Sequence, residues 1–185
     1  YKLKVKGLFL LFLFVSVVSG FAVIKTGTAQ KTSRVYVEPS ASGAPSGGQF
    51  DVKVNIADVE FLWTWQLGFE WNNSILNVVN TVEGPFLNQE GTLKTSFTPK
   101  ITNEFGNMTV LCTLYGEAHG VSGSGTLLVV TFKVIAQEDA VIEKGCALDI
   151  VPKDAEHPFG TLLLARVGDQ PSRVKCMLED GYFLY

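Results

Sequence analysis

Past residue 30 the apolar positions recur at every second residue wherever a run is long enough to read. Phe50, Val52, Val54 and Ile56 alternate with Asp51, Lys53 and Asn55; Leu128, Val130, Phe132 and Val134 face away from Thr131 and Lys133; Cys146, Leu148 and Ile150 alternate with Ala147 and Asp149. A period of two marks a strand with one buried face. In the run Trp63, Trp65, Leu67, Phe69 and Trp71, set against Thr64, Gln66, Gly68 and Glu70, the same rule sends three indoles and a phenyl into a core. Clusters of turn-formers separate the runs: Ser40 to Gly48, Glu83-Gly84-Pro85, Asn103 to Asn107, Gly120 to Gly125 and Gly168 to Pro171. No capped pattern of period 3.6 follows residue 30, although Asn72 to Leu76 has room for a single turn. About nine strands at roughly 10–15-residue spacing result. Many short strands with apolar inner faces close as two sheets, so the expectation is an all-β antiparallel sandwich or jelly roll.

The first 29 residues are of another kind. Lys2, Lys4 and Lys6 precede an apolar stretch from Leu8 to Ile24, and small residues at Thr26-Gly27-Thr28-Ala29 fit a cut after Ala29. This is the layout of a secretory signal peptide. An uncleaved membrane anchor through residues 8–24 is the alternative, and either places a domain over 30–185 outside the cell. Without the four lysines of the leader, 11 basic side chains face 18 acidic ones. An acidic surface of this kind excludes a phosphate-tracking nucleic-acid binder.

Candidate chemistry is sparse. Gly120-Val121-Ser122-Gly123-Ser124-Gly125 breaks the nucleophile-elbow pattern at Ser124 and the dinucleotide pattern at Leu128, so it reads as a glycine-rich loop entering a strand. His119 beside Glu117, and His157 after Asp154 and Glu156, each lack a second histidine at ligand spacing and read as solvated loop residues. Neither a metal site, a cofactor nor a catalytic set emerges, and no enzyme is expected. Cys112, Cys146 and Cys176 all fall on inward faces; Cys146 with Cys176 is the candidate disulfide, and three buried thiols the alternative. Asn72 and Asn107 begin N-x-S/T sequons, candidate glycosylation sites in an exported chain.

The order and spacing of Val35-Tyr36-Val37-Glu38-Pro39, Gly48 to Ala57, Trp65-Gln66-Leu67-Gly68-Phe69-Glu70-Trp71-Asn72, Ser74 to Asn77, Val82 to Leu87, Gly120 to Leu127, Val130 to Val134 and Asp180-Gly181-Tyr182-Phe183 resemble a cohesin domain over about residues 33–185. The likeness is to those of secreted archaeal proteins especially. That resemblance implies a nine-stranded jelly-roll sandwich, related in shape to carbohydrate-binding modules, whose better-known members bind dockerin modules and so assemble polysaccharide-degrading complexes. The chain departs from scaffold-type members in its long segment from Val151 to Arg173. Strand alternation adds that Thr64, Gln66 and Glu70, with Leu111, Thr113 and Tyr115, share one exposed sheet, which in the resembled family carries the partner surface. A protein-binding module is therefore expected. A carbohydrate-binding or adhesion module and a self-assembling subunit of a surface layer or filament are the rivals; an outward aromatic row favours the former and unpaired edge strands the latter.

Overall fold

A computed structural model describes residues 31–116, 119–137 and 145–184. The leader, with its cleavage and anchor readings, and Glu117 lie outside the described residues. The chain from Lys31 onward forms its own unit, built of strands β1 (Ser33–Glu38), β2 (Ala41–Gly43), β3 (Gln49–Trp71), β4 (Leu76–Glu83), β5 (Thr95–Thr102), β6 (Asn107–Leu114), β7 (Val121–Val134), β8 (Gly145–Val151), β9 (Leu162–Val167), β10 (Gln170–Val174), β11 (Cys176–Glu179) and β12 (Gly181–Leu184). The all-β sandwich is as expected. More strands are present than the pattern suggests because β2, β10, β11 and β12 have five residues or fewer, too short to show a period.

Strand β3 organises the rest, because its 23 residues belong to two sheets in succession. The first half pairs with β7 on one edge and β1 on the other, and β4 and β11 extend this layer beyond them. The second half pairs with β6 on one edge, continued by β5, and on the other with β9 and then β8. Strand β10 extends β9, while β12 and β2 extend β8. Two pairings, β1 with β11 and β2 with β12, are parallel, a departure from the all-antiparallel expectation.

The two inner faces meet in aromatic contacts. Phe132 of β7 lies 5.6 Å from its cross-strand neighbour Phe50 and, across the core, 5.6 Å edge-on from Trp71 and 6.2 Å from Phe69, while Phe183 of β12 stacks on Phe50 at 5.0 Å. Each fully buried ring of this kind contributes about 1.5–3 kcal/mol by leaving water. The alternating residues of β3, β7 and β8 named above are buried as expected, apart from the half-buried Phe50 and Trp63.

Between its halves β3 is irregular, and there the reading of Gly120 to Gly125 as a loop is corrected. The segment from Val121 is already strand β7, and it slips in register against β3 between Ile56 and Leu62. Asp58 and Phe61 take left-handed backbone angles (φ 54° each), which turns their N–H groups away from the ladder. The hydroxyls of Ser124 and Ser122 accept those N–H groups at 3.0 and 2.8 Å. A side chain at position 120 would collide with the Phe61 carbonyl. The Gly-Ser composition thus follows from pairing with a bulged strand.

A second bulge leaves Trp63 at the margin of the core, packed against it but only half-buried. Leu62 opposes Ala165 and Thr64 opposes Leu164, so Trp63 is an extra residue on β3. Leu62 and Trp65 are both buried, and Trp63, out of phase, is half-buried under the Arg166 guanidinium, 5.2 Å from its ring centroid. The Asn72–Leu76 segment is a hydrogen-bonded turn in which the N–H groups of Ile75 and Leu76 both reach the Asn72 carbonyl at 3.0 Å. Helix is confined, among the described residues, to one turn at Pro85–Asn88 and a 3-10 turn at Asn103–Phe105.

Candidate functional site: the outward face of the second sheet

Register lines the outward side chains of β5, β6 and β3, with β9 or β8, into rows. These are Ser96, Thr113, Thr64 and Leu164; Thr98, Leu111, Gln66 and Leu162; Lys100, Thr109, Gly68 and Val151; and Thr102, Asn107, Glu70 and Asp149. Five of the six residues placed on this face from the sequence, Thr64, Gln66, Glu70, Leu111 and Thr113, lie together on it, and Tyr115 follows the end of β6. Leu111 and Tyr115 are exposed, at 41% and 61%, while Thr64, Gln66, Glu70 and Thr113 are half-buried. The hydroxyls of Thr64 and Thr113 hydrogen-bond to each other across the strands.

Gln66 is half-buried because residues 152–160 fold back over the face, and its Nε2 donates to the Gly160 carbonyl at 2.8 Å. Thr161 fastens the far side of this loop: its N–H reaches the Val151 carbonyl at 2.7 Å and its Oγ1 receives the Gly68 N–H at 3.3 Å. The approach requires glycine at 68, where a Cβ would stand 2.8 Å from the Gly160 Cα. Inside the loop, the Asp154 carboxylate accepts the N–H groups of Glu156 and His157 at 2.9 and 2.7 Å and lies 3.2 Å from His157 Nδ1. Those bonds to the ionised form, the His157 N–H first, hold Asp154 below the usual carboxylate range.

Sheet and loop together enclose a groove of about 460 Å³. Gln66, Thr98, Lys100, Thr109 and Leu111 lie along its sheet side, and His157, Pro158 and Phe159 along its wall. Phe159 is 69% exposed. The sequence reading missed β5 and this wall: the polar run around Pro99 carries no clear alternation, and nothing local shows that the long Val151–Arg173 segment turns back over β3.

The remaining candidates are scattered over the domain. Cys112, Cys146 and Cys176 are free thiols, so the Cys146–Cys176 disulfide is not formed. Cys146 stands in β8, between β3 and β12, whereas Cys176 stands in β11, at the edge of the other layer beside β1. Burial pushes the thiol pKa of all three up; at Cys112 the Glu83 carboxylate, 3.6 Å from Sγ, adds to the effect. Asn72 is exposed, with its Oδ1 accepting the Ser74 N–H at 2.9 Å, and Asn107 is half-buried beside Glu70. His119 is exposed, and His157 is tied to the groove wall as described.

A family model of the cohesin domain matches residues 35–149. The chain belongs to the cohesin family. Among solved structures, it is similar to a non-cellulosomal cohesin from the hyperthermophilic archaeon Archaeoglobus fulgidus, with TM-score 0.62 and 20% identity over 83% of this chain and 91% of that one. It is also similar to the third cohesin of ScaC from Acetivibrio cellulolyticus, solved in complex with the ScaB dockerin (TM-score 0.63, 14% identity, 83% and 98% covered). A third likeness is to a type II cohesin–X–dockerin complex from the same organism (TM-score 0.64, 16% identity, 82% and 98% covered). A search of curated protein sequences finds no match.

Proposed function

We propose that this chain is a non-catalytic extracellular docking module. Its outward face of β5, β6 and the second half of β3 receives a dockerin-like protein module, in an assembly that acts on polysaccharide. One observation carries the choice of face: exposed Leu111 stands among hydroxyl and amide side chains on a regular four-strand surface, with exposed Tyr115 just past the end of β6. Apolar and aromatic centres ringed by uncharged polar groups suit a protein interface, whose core is depleted in charge. The family, and the dockerin complexes of two of its structural relatives, support the partner class; the signal-like leader supports export.

The test is retention of dockerin modules encoded by the source organism, purified singly, on the immobilised full chain. The wild type should hold at least one of them. Leu111→Arg combined with Tyr115→Arg should abolish retention with little change in melting temperature, since both side chains are exposed. Retention by the double variant would exclude this face. A second reading, a sugar site, is favoured by Phe159 on the rim of an amide- and hydroxyl-lined groove. Retardation of the chain in polysaccharide gels, lost on Phe159→Ala, would support it instead.

A further inference from the structure

The same face carries opposite charge at its two ends. At one end Glu70 and Asp149 stand directly across from each other on β3 and β8, with Asp180 near enough to act on Asp149. Burial first, then Asp180 and Glu70, hold Asp149 above the usual carboxylate range. Among the described residues neither Glu70 nor Asp149 has an ion-pair partner. At the other end Arg173 lies across β9 and β3 in line with Leu164 and Thr64, and Arg166 covers Trp63 one step beyond. Lys100 toward the acidic end and Asp169 at the tip of the β9–β10 hairpin reduce this contrast without reversing it.

Like charges directly opposed across a strand pair destabilise a sheet. A cationic group bound between Glu70 and Asp149 relieves that repulsion. Six strand residues separate the row of Arg173 and Thr64 from the row of Glu70, roughly 20 Å at about 3.3 Å per residue. Between the poles the surface is apolar and hydroxylic, with Leu111, Leu162 and Leu164 among threonines, and residues 152–160 wall the acidic half.

We propose that the face takes an elongated protein element about 20 Å long, basic at the end over Glu70 and Asp149 and acidic at the end over Arg166 and Arg173, in one orientation only. The inference rests on the docking reading above and deepens it. Two opposite poles distinguish an element from the same element turned end for end, and the turned pose sets like charges together at both ends. Complementary charge of this kind governs orientation and association rate more than raw affinity.

The experiment uses the full chain and the dockerin module it retains in the assay above, cross-linked with a zero-length carbodiimide. Wild-type links from Glu70 and Asp149 should reach lysines at one end of the module only. Reversing a single pole, by Glu70→Lys with Asp149→Lys or by Arg173→Glu with Arg166→Glu, should slow association tenfold or more at low salt, with the difference shrinking at high salt. Reversing both poles should restore association and move the cross-links of the module's lysine-bearing end to position 173. Links to both ends in the wild type, or association rates indifferent to either reversal, would overturn the single orientation while leaving the docking face standing. Failure to retain any module, or retention unaffected by Leu111→Arg with Tyr115→Arg, would instead remove the docking reading and this inference with it.

Discussion

Replacing Trp65 by Phe separates two energies that replacement by Ala merges. The Trp65 ring is fully buried on the inner face of β3, opposite Cys112 and Leu163, with its edge toward Phe97 at 6.2 Å. Its indole N–H is buried and has no acceptor. Trp65→Ala deletes the whole aromatic and is expected to cost about 3–5 kcal/mol. Trp65→Phe removes on the order of 40 Å³, about 1 kcal/mol of cavity at about 24 cal/mol per Å³, and with the lost transfer of the deleted atoms about 2 kcal/mol. Against this it removes a buried donor that has given up water without gaining a partner, a penalty of about 1–3 kcal/mol. The terms nearly cancel, so Trp65→Phe should lie within about 1 kcal/mol of the parent. Urea unfolding followed by far-ultraviolet circular dichroism measures both variants without relying on the indole as reporter. If Trp65→Phe loses as much stability as Trp65→Ala, the N–H is hydrogen-bonded in solution and the argument from an unpaired donor is refuted.

Three further outcomes follow from the structure. Because the folded-state pKa of Asp149 is raised, the native state binds its proton more tightly than the unfolded chain, so stability falls as pH rises from the ordinary aspartate value through the raised one; Asp149→Asn should remove that fall in melting curves taken across the window. Ser122→Ala and Ser124→Ala should each cost about 0.5–1.5 kcal/mol and speed hydrogen exchange at the Phe61 and Asp58 amides respectively; unchanged exchange would mean that the hydroxyls do not hold the bulge. Cys112, Cys146 and Cys176 should resist alkylation at pH 8 in the folded protein and react promptly in urea, since the thiolate is the reacting species; fast labelling of native Cys112 would contradict its burial.

How far the sequence revealed the structure depends on whether a residue's role is set by its own strand or by a distant one. The inward sets of β3, β7 and β8 were legible because burial of one face imposes a period of two on local sequence. The outward placement of Thr64, Gln66, Glu70, Leu111 and Thr113 followed from the same rule. Trp63 escaped it because one inserted residue changes the phase, and the insertion shows only against β9. Ser122 and Ser124 look like loop residues by composition, and their function appears only when Phe61 and Asp58 are placed beside them. The groove wall was invisible for a related reason: Gly68 and Gly160 approach each other across 92 positions, and neither carries a side chain to signal the contact.

The pairing of β1 with β11 bears on how the domain is made. Arg34 at the start and Glu179 near the end meet although 145 positions separate them, and β2 likewise waits for β12. Long-range pairings of this kind slow folding, because the chain must close large loops before they are rewarded. A nascent chain can bring β1 onto β3 early, but the other edge of β1 stays unpaired until β11 has been synthesised. Closure of the sandwich is therefore a late event, held back until β11 and β12 can reach the strands made first.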